Sequence, residues 1–392
     1  MNLFSENLLT FLNKNYSAIF LPLLIFFLSI SFALSVLENR GNTEESNLPP
    51  RKALLTVRNN LISKFGNTLY YWNRILKIHN ESEKKIISSI SPLSIKIAEI
   101  YLKNEKLKTD IMITDKDKAG FKTNCILVIR IQPPAYKKIL SESIRSSDYI
   151  LNIYRYFKPF FEMNGCNVSG IQIDADIPTS KLSLYSQLLT VIKSKLEVDE
   201  ILSITTIPDW FESNYNSIKN LLKNIDFHTV QFYSNKTLKH SDETGLVLSE
   251  ENLEKTVKLI QEAGCPYYLG ISIFGAIHRF DSKGVFIRSY FKDISIQSLL
   301  NNRNFILVDS QVKGFERIIK LQCIKKNKET SAIFDKNDII LISSIEKQEL
   351  KKIYAYIEKL KKGKLCIGAA WFRYCAENEF AGIRLSELKN YF

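Results

Sequence analysis

The sequence predicts an α/β fold, a (β/α)₈ TIM-like barrel with a β-rich insertion after its seventh strand. Eight short apolar strands alternate with amphipathic helices, which is the order typical of a parallel sheet. Polar side chains collect towards the carboxyl ends of these strands, where the active sites of such barrels lie. A doubly wound open sheet is the alternative, but no glycine-rich phosphate loop follows the first strand.

The predicted elements are short and regularly spaced. The strands are Leu69–Asn73, Ile95–Tyr101, Cys125–Ile131, Val168–Asp174, Glu200–Thr206, Asp226–Tyr233, Tyr267–Ile273 and Leu365–Arg373. The helices between them include Ser147–Glu162, Lys181–Leu196, Tyr215–Lys223, Glu250–Ala263 and Glu346–Lys361. Gly165 and Gly264 follow two of these helices, where a C-cap glycine is expected.

The region between the seventh and eighth strands breaks this alternation. Residues Arg279 to Ser344 contain strand-like runs and little helix, which predicts an insertion large enough to form a flap or subdomain. With it, residues 67–392 form one barrel domain. Residues 38–66 are predicted to be a linker and lead-in, because polar residues there surround Gly41 and two prolines.

The amino-terminal residues 1–37 contain a long apolar segment. Ser17–Leu37 has no charged residue, and as a helix it would be about 31 Å long, enough to cross a bilayer core. We predict an uncleaved membrane anchor, with a cleaved signal peptide and a buried helix as alternatives. The flanking charges do not orient the segment, and the rest of the chain is expected to be extracytoplasmic, in the periplasm or at the cell surface.

Charge and cysteine content limit the other classes of partner. The net charge of +13 comes from thinly spread lysines with no basic stripe among aromatics, so nucleic-acid binding is not predicted. The six cysteines form no CxxC pair and no cluster with zinc spacing, so neither a metal nor a cofactor is predicted. The sequence is compatible with one disulfide bond after export but does not identify the two cysteines that would form it.

The segment VSGIQIDADIPTSKLSLY, Val168 to Tyr185, passes from a strand into a helix with two aspartates at the junction. Gln172, Asp174 and Asp176 fall on one side of the strand, which in a barrel faces the interior. Asp176 at the tip is predicted to be a general acid. Asp174, about 6.5–7 Å back along the strand, would raise the pKa of Asp176 as a like charge.

The other strands present polar and aromatic residues at the same end. Glu99 is the distant candidate for the second carboxylate of glycoside hydrolysis. Amides and arginines bond sugar hydroxyls and aromatic faces stack on sugar rings, so a glycan is the predicted partner. The predicted substrate-binding residues are Trp72, Arg74, Arg130, Gln172, Trp210, Gln231, Tyr233, Trp371 and Arg373.

Each of these assignments has a structural alternative. The two aspartates can be ion-paired with Arg130 or Arg373 across the barrel, the tryptophans can belong to the core, and Glu99 can be solvated or ion-paired. Asp174 and Asp176 also suit a divalent cation, but no third ligand is visible nearby. The four histidines share no spacing and are assigned no role.

Four segments between Leu69 and Tyr374 together resemble a bacterial domain-of-unknown-function family, number 3142. In chain order they are GIQIDADIPTSKLSLYSQLL, LSITTIPDWF, DFHTVQFY and GAAWFRY. Members of that family look like relatives of barrel glycoside hydrolases and are typically exported or membrane-attached. No established activity comes with the resemblance, which therefore implies the fold more than the function.

A weaker likeness is to chitinase-type barrels, whose fourth strand carries DxxDxDxE and ends in the catalytic glutamate. Setting Asp174 and Asp176 on the last two aspartates puts Ile171 at the first and Pro178 at the glutamate. The proton donor of that family is then missing. Either an aspartate has taken over its role or the barrel does not hydrolyse anything.

Two functional hypotheses follow from the sequence. The first is an exported, membrane-anchored hydrolase that cleaves a cell-surface or environmental glycan with Asp176 as the acid. The second is a non-catalytic glycan-binding or envelope scaffold protein on a retired hydrolase barrel. A carboxylate about 5–10 Å from Asp176 across an open pocket favours the enzyme, and arginines closing on both aspartates favour the scaffold.

Overall fold

The computed structural model describes residues 51–72, 81–112, 122–232, 239–242, 250–273, 275–290, 294–313, 316–329, 332–345, 347–374 and 383–392. The predicted membrane segment Ser17–Leu37 and residues 38–50 of the predicted linker and lead-in lie outside these ranges. Within them, no helix is both long enough and apolar enough to cross a bilayer. Residues 51–62, which we predicted to belong to the linker and lead-in, form a helix instead.

The strands, in chain order, are β1 (Thr68–Tyr71), β2 (Leu93–Lys103), β3 (Lys106–Ile111), β4 (Asn124–Ile131), β5 (Asn167–Ala175), β6 (Ile201–Thr206), β7 (Phe227–Gln231), β8 (Tyr267–Ser272), β9 (Ala276–Phe280), β10 (Phe286–Tyr290), β11 (Phe305–Lys313), β12 (Glu316–Cys323), β13 (Asn327–Glu329), β14 (Ala332–Phe334), β15 (Ile339–Ile345) and β16 (Cys366–Phe372). The helices are α1 (Arg51–Ile62), α2 (Glu81–Ser89), α3 (Pro133–Ser141), α4 (Ser143–Met163), α5 (Leu182–Ser194), α6 (Pro208–Ser213), α7 (Tyr215–Leu222), α8 (Glu250–Ala263), α9 (Ile296–Asn301), α10 (Lys347–Lys361) and α11 (Leu385–Leu388).

Eight parallel strands close into a barrel, so the predicted closed α/β barrel is confirmed and the open sheet is excluded. The order around the barrel is β1, β16, β8, β7, β6, β5, β4 and β2, and β1 pairs with β2 to complete the ring. Strand β3 pairs antiparallel with β2 outside the ring. This hairpin was not predicted, because its turn at Asn104 and Glu105 (φ 50° and 57°) lacks the glycine that usually marks such turns.

The barrel interior has an apolar lower half and a polar upper half. Side chains at the amino ends of the strands form an internal cluster that includes Ile126, Ile201 and Phe227. Ile62 of α1 and Phe65 join this cluster. Polar residues follow on the same inward-facing rows towards the carboxyl ends, because alternate strand residues share a face. The lower half is therefore a packed core, and the polar side chains of the interior lie towards the carboxyl end, where the active sites of such barrels are found.

The outward faces of the strands pack against the surrounding helices in the largest core cluster, which includes Leu127, Ile171 and Leu188. Gly165 and Gly264 adopt positive φ angles of 91° and 76° just after α4 and α8. These are the conformations that a glycine C-cap allows without strain, so the predicted helix ends at these positions are correct.

Between β8 and β16 the chain forms a five-stranded antiparallel sheet in the order β10, β9, β15, β12 and β11. A small hairpin of β13 and β14 accompanies it. The sheet has a hydrophobic cluster of its own, which includes Leu299, Leu321 and Phe334. This separate cluster gives the sheet internal packing that does not depend on the barrel interior.

Gly170 in β5 lies against the backbone of β6. A Cβ atom at this position would lie 2.1 Å from the carbonyl oxygen of Ile201, which cannot move without breaking the ladder. We expect Gly170→Ala to lower the free energy of unfolding by about 1–3 kcal/mol or more, measured by urea denaturation. Gly66→Ala is the matched control, since its Cβ would meet only Ser91 O at 3.6 Å. Equal denaturation midpoints for the two variants would contradict the close approach.

Candidate active site

The site is built on β5, where Gln172 and Asp174 face the barrel interior and Asp176 follows just beyond the strand. Gln172 is buried beneath the other two. Its amide oxygen accepts a short hydrogen bond from the hydroxyl of Tyr70, and its amide nitrogen lies 3.3 Å from the hydroxyl of Thr229. Gln172 was predicted to contact substrate, but these contacts make it part of the floor that supports Asp174.

Asp174 is a buried carboxylate with every side of it occupied. Its Oδ1 accepts hydrogen bonds from Thr205 Oγ1 at 2.6 Å and from Gln231 Nε2 at 3.0 Å. Its Oδ2 accepts from Arg130 Nη1 at 3.1 Å. A buried carboxylate with three donors is fixed in position and compensated for its burial. Asp174 is therefore held in place beside Asp176, with both of its oxygens engaged by donors of the barrel.

Asp176 is the accessible carboxylate of the pair, with its side chain 34% exposed. Burial is the first cause of a raised pKa for this group, the charge of Asp174 is the second, and Arg130 acts in the opposite direction. Arg130 Nη2 lies 3.6 Å from Asp176 Oδ2, a long contact compared with its bond to Asp174. A carboxylic acid with a raised pKa and partial exposure is what a general acid requires.

The raised pKa of Asp176 has a consequence for stability. A carboxyl group whose pKa is higher in the folded protein than in the unfolded chain stabilises the fold while it is protonated. This stabilisation is complete below the pKa of the unfolded chain, about 3.9. It is lost as the pH rises through the pKa of the folded protein. We expect Asp176→Asn to raise Tm relative to wild type at pH 7 and to leave it nearly unchanged near pH 3. Asp209→Asn, at an exposed carboxylate on α6, serves as the control. An equal Tm shift at both pH values would contradict the raised pKa.

Glu99, the predicted second carboxylate, is an ion-paired residue. Lys96 Nζ lies 2.8 Å from Glu99 Oε1, and Gln132 Nε2 lies 3.3 Å from Oε2. Burial acts to raise the pKa of Glu99, but the hydrogen bond and charge of Lys96, with Arg130 and Gln132, outweigh it and hold the pKa below its usual value. Glu99 also stands two strands from Asp174, about 10 Å away at the spacing of neighbouring strands.

Lys96 lies beside the predicted site residues Trp72 and Glu99, although it is not among those predicted. Its side chain is only 7% exposed, and its Nζ lies 4.5 Å from the centroid of the Trp72 ring. Burial is the first cause of its lowered pKa. The register of β2 shifts between Lys96 and Ala98, so Lys96 and Glu99 both face inward although they are three residues apart. The signal in the sequence was a lysine inside the apolar run SIKIAEI.

Trp72 is a predicted aromatic residue that lies at the carboxyl end of the barrel, beside Lys96 and Arg130. It is half-buried, and its ring centroid is 6.0 Å from that of Tyr70 and 5.2 Å from that of Phe372. The guanidinium carbon of Arg130 lies 6.0 Å from the Trp72 ring centroid. Lysine and arginine therefore both approach an aromatic face that we predicted for sugar stacking.

Trp371 lies on the opposite side of β16 from the one we predicted. It is fully buried and packs with Leu69 and Ile271 in the outer core. The reason is register: Trp371 pairs with Leu69 of β1 and Ile271 of β8, and paired residues of parallel strands share a face. Its neighbour Phe372 faces the interior in its place, with its ring centroid 5.8 Å from that of Tyr70.

Trp210 is also a core residue and not a sugar-binding one. It is 1% exposed, its Nε1 donates to Ile177 O at 2.9 Å, and its ring meets that of Tyr185 edge-on. The prediction placed it at the rim because it follows β6 closely. On α6 its side chain instead points into the apolar layer, where it holds the turn after Asp176.

Four predicted site residues remain, of which two lie in the described part of the chain and two do not. Gln231 is brought to the centre of the site by its bond to Asp174. Arg373 follows β16 and is half-buried with polar contacts of its own. Arg74 and Tyr233 lie outside the described residues. In the part of the chain that the structure describes, no three His, Cys, Asp or Glu side chains are arranged to hold a metal ion.

Comparison with known proteins gives a family match over part of the chain. Residues 144–314 match the model of the family described as "Domain of unknown function (DUF3142)". The match is narrower than the predicted span from Leu69 to Tyr374, and the segment GAAWFRY lies outside it. No curated protein matches the sequence.

Solved structures with the same fold are chitinase-like barrels. The C-terminal domain of a putative chitinase from Desulfitobacterium hafniense is 12% identical with a TM-score of 0.57, and the match covers 83% of this chain and 99% of that one. A spore cortex-lytic enzyme of Bacillus cereus is 14% identical with a TM-score of 0.56, covering 83% and 73%. A chitinase from Chromobacterium violaceum is 11% identical with a TM-score of 0.56, covering 83% and 98%. Residues 144–314 therefore match this family, and the chain has the barrel fold of these solved structures, so the resemblance predicted from the sequence is confirmed.

Proposed function

We propose that this protein is an exported, membrane-anchored glycoside hydrolase that cleaves a cell-surface or environmental glycan, with Asp176 as the general acid. The single observation that carries this proposal is the state of Asp176. It is partly exposed at the carboxyl end of the barrel, and burial and Asp174 raise its pKa. Such a group is protonated at a higher pH than an ordinary aspartate and can deliver a proton to a leaving oxygen.

The second catalytic group is proposed to come from the substrate. Glycoside hydrolysis by two carboxylates needs a second one about 5–10 Å from the acid. In the described ranges, Asp174 is held by three donors and Glu99 by Lys96 and Gln132. A neighbouring group on the sugar, such as an acylated amine, can instead attack the anomeric carbon. This favours glycans of N-acylated amino sugars, and two of the similar structures are named as a putative chitinase and a chitinase.

Arg130 supports the alternative, a non-catalytic glycan-binding protein. One guanidinium contacts Asp174 at 3.1 Å and Asp176 at 3.6 Å. A cation beside the proposed acid lowers its pKa and opposes proton donation. In this alternative, Asp176 is an ionised acceptor for sugar hydroxyls, and the barrel binds a glycan without cleaving it.

The experiment incubates the protein with chitin oligosaccharides and peptidoglycan fragments and measures both binding and release of new reducing ends. Hydrolysis is supported by release from wild type and from Asp209→Asn but none from Asp176→Asn. Binding without release, equal in wild type and Asp176→Asn, would establish the binding protein. If the protein neither binds nor cleaves any of these glycans, both proposals are contradicted and a protein partner is indicated.

The proposed anchor is tested separately in cells. We expect the full chain to sediment with membranes and to resist extraction by alkaline carbonate, because Ser17–Leu37 is long enough to cross a bilayer. The barrel is expected to be degraded by protease added to spheroplasts. A chain that stays in the soluble fraction, or that is protected from added protease, would contradict this location.

A further inference from the structure

Two cysteines meet at the amino ends of β4 and β5. The thiol of Cys125 lies 3.7 Å from the carbonyl oxygen of Thr123. That same oxygen accepts the backbone N–H of Asn167 at 2.9 Å. Asn167 directly follows Cys166, so the Cys125 side chain points along its own strand towards the residue that precedes β5.

The two side chains share one environment. Both belong to the outer core cluster, with Cys125 fully buried and Cys166 4% exposed. Both are free thiols in the structure, and the side chain of Cys166 is a neighbour of the Cys125 thiol. Burial is the first cause of the raised pKa of Cys125, and its contact with Cys166 adds to it. Sequence alone could not identify this pair, because the two residues are far apart in the chain and are joined only by the β4–β5 ladder.

We propose that Cys125 and Cys166 form a disulfide bond when the chain folds in an oxidising compartment. Each sulfur loses its proton, the pair loses two electrons, and one S–S bond forms. The oxidant is a disulfide of the thiol oxidoreductase or glutathione class, which is reduced to two thiols by exchange through a mixed disulfide. This link goes beyond the proposed glycan chemistry and does not depend on it.

The bond forms before the strands close. The thiolate is the attacking species in exchange, and the folded protein buries both sulfurs and raises the pKa of Cys125. Oxidation of the folded, reduced protein is therefore slow, and a disulfide made during folding is equally shielded from reduction. The link would join the strands that carry Arg130 and Asp174.

Other cysteines provide internal controls. Cys366 pairs with Tyr267 across β16 and β8, and Cys265 stands two residues before Tyr267, the same offset as in the first pair. The neighbours differ, however. Tyr267 is a polar neighbour of Cys366, and the charged neighbours of Cys265 are Asp226 and Lys193. These two thiols are expected to stay reduced.

The test refolds the denatured, reduced full-length protein in detergent with reduced glutathione alone or with a mixture containing oxidised glutathione. Free thiols are then alkylated in denaturant, and the digest is mapped by mass spectrometry. The expected result in the oxidising mixture is one cross-linked peptide pair containing Cys125 and Cys166. Cys265, Cys323 and Cys366 should be alkylated. Complete alkylation of all cysteines, or a link from either residue to any other cysteine such as Cys375, would overturn the proposal.

A second measurement compares Tm of the two refolded samples. A bond that closes a loop of roughly 40 residues constrains the unfolded chain, and we expect the oxidised protein to melt roughly 5–10 °C higher. The difference should vanish in Cys166→Ser and persist in Cys265→Ser. A difference that persists in Cys166→Ser would assign the stabilisation to another bond. The peptide map of wild type decides the proposal even if the serine variants fold poorly.

Discussion

Asp176→Asn is expected to reduce glycan cleavage by about 10²–10⁴-fold, the usual contribution of a positioned general acid. The amide keeps the size and the polar contacts of the carboxyl but has no proton to donate to the leaving oxygen. Binding should change much less, because Asp174 and its three donors remain in place. The measurement is the initial rate of reducing-end release at saturating glycan, with Kd determined beside it.

The matched control for this prediction is Asp209→Asn. Asp209 is an exposed carboxylate just after β6, so its substitution removes the same charge from the same end of the barrel. Its rate should stay within about twofold of wild type. If both variants lose activity equally, the loss reflects the charge of the rim. An active Asp176→Asn would exclude Asp176 as the acid.

Arg130→Met should shift the pH profile of any hydrolysis. A general acid works only while protonated, so the rate falls as the pH rises through the pKa of that acid. Arg130 lowers the pKa of Asp176, so its removal is expected to move the descending limb to higher pH. The profile of kcat/KM reports this change on the free enzyme. A limb that does not move, or that moves to lower pH, would contradict the coupling.

Trp371→Ala is expected to cost about 3–5 kcal/mol in the free energy of unfolding, the range for deleting a large buried aromatic side chain. Trp371 is fully buried between β16 and the carboxyl-terminal residues, with its ring centroid 6.2 Å from that of Tyr391. Its removal leaves a cavity in the outer core and touches nothing in the pocket. Chemical denaturation measures the effect.

Trp72→Ala is the control for Trp371→Ala, because we expect it to affect glycan binding and not the stability of the fold. Trp72 is half-buried at the pocket, so its loss should weaken glycan binding more than it weakens the fold. The two variants separate an aromatic residue of the core from an aromatic residue of the site. Weakened binding by a still-folded Trp371→Ala, with normal binding by Trp72→Ala, would show that the two roles are reversed.

The strands were predictable because each barrel strand is a short apolar run bounded by turns. All eight were placed within a few residues of their observed bounds. The facing of side chains was predictable only where alternation is unbroken, as from Gly170 to Ala175 in β5. In β2 a register shift brings Lys96 inward, and such a shift leaves no mark on alternation counted from the sequence.

The contacts of the site were less predictable than its location. An ion pair of Asp174 with Arg130 was one of the predicted alternatives, but it was predicted across the barrel. In the structure the two residues stand at the same level of neighbouring strands. That Arg130 also reaches Asp176 depends on the rotamer of a long side chain. The side of Trp371 depends on its partners in β1 and β8, which are far apart in the chain.

The grouping of Arg130 with two aspartates also governs how the pocket responds to dissolved salt. Together with the Lys96–Glu99 pair, these side chains carry a net charge of −1 when Asp176 is ionised and of zero when it is protonated. A site with so little net charge has almost no field for mobile ions to screen, even though the whole chain carries +13. The affinity of the site for an uncharged glycan should therefore be nearly independent of ionic strength. Weak binding of acidic polymers to the basic surface elsewhere should disappear as salt is added.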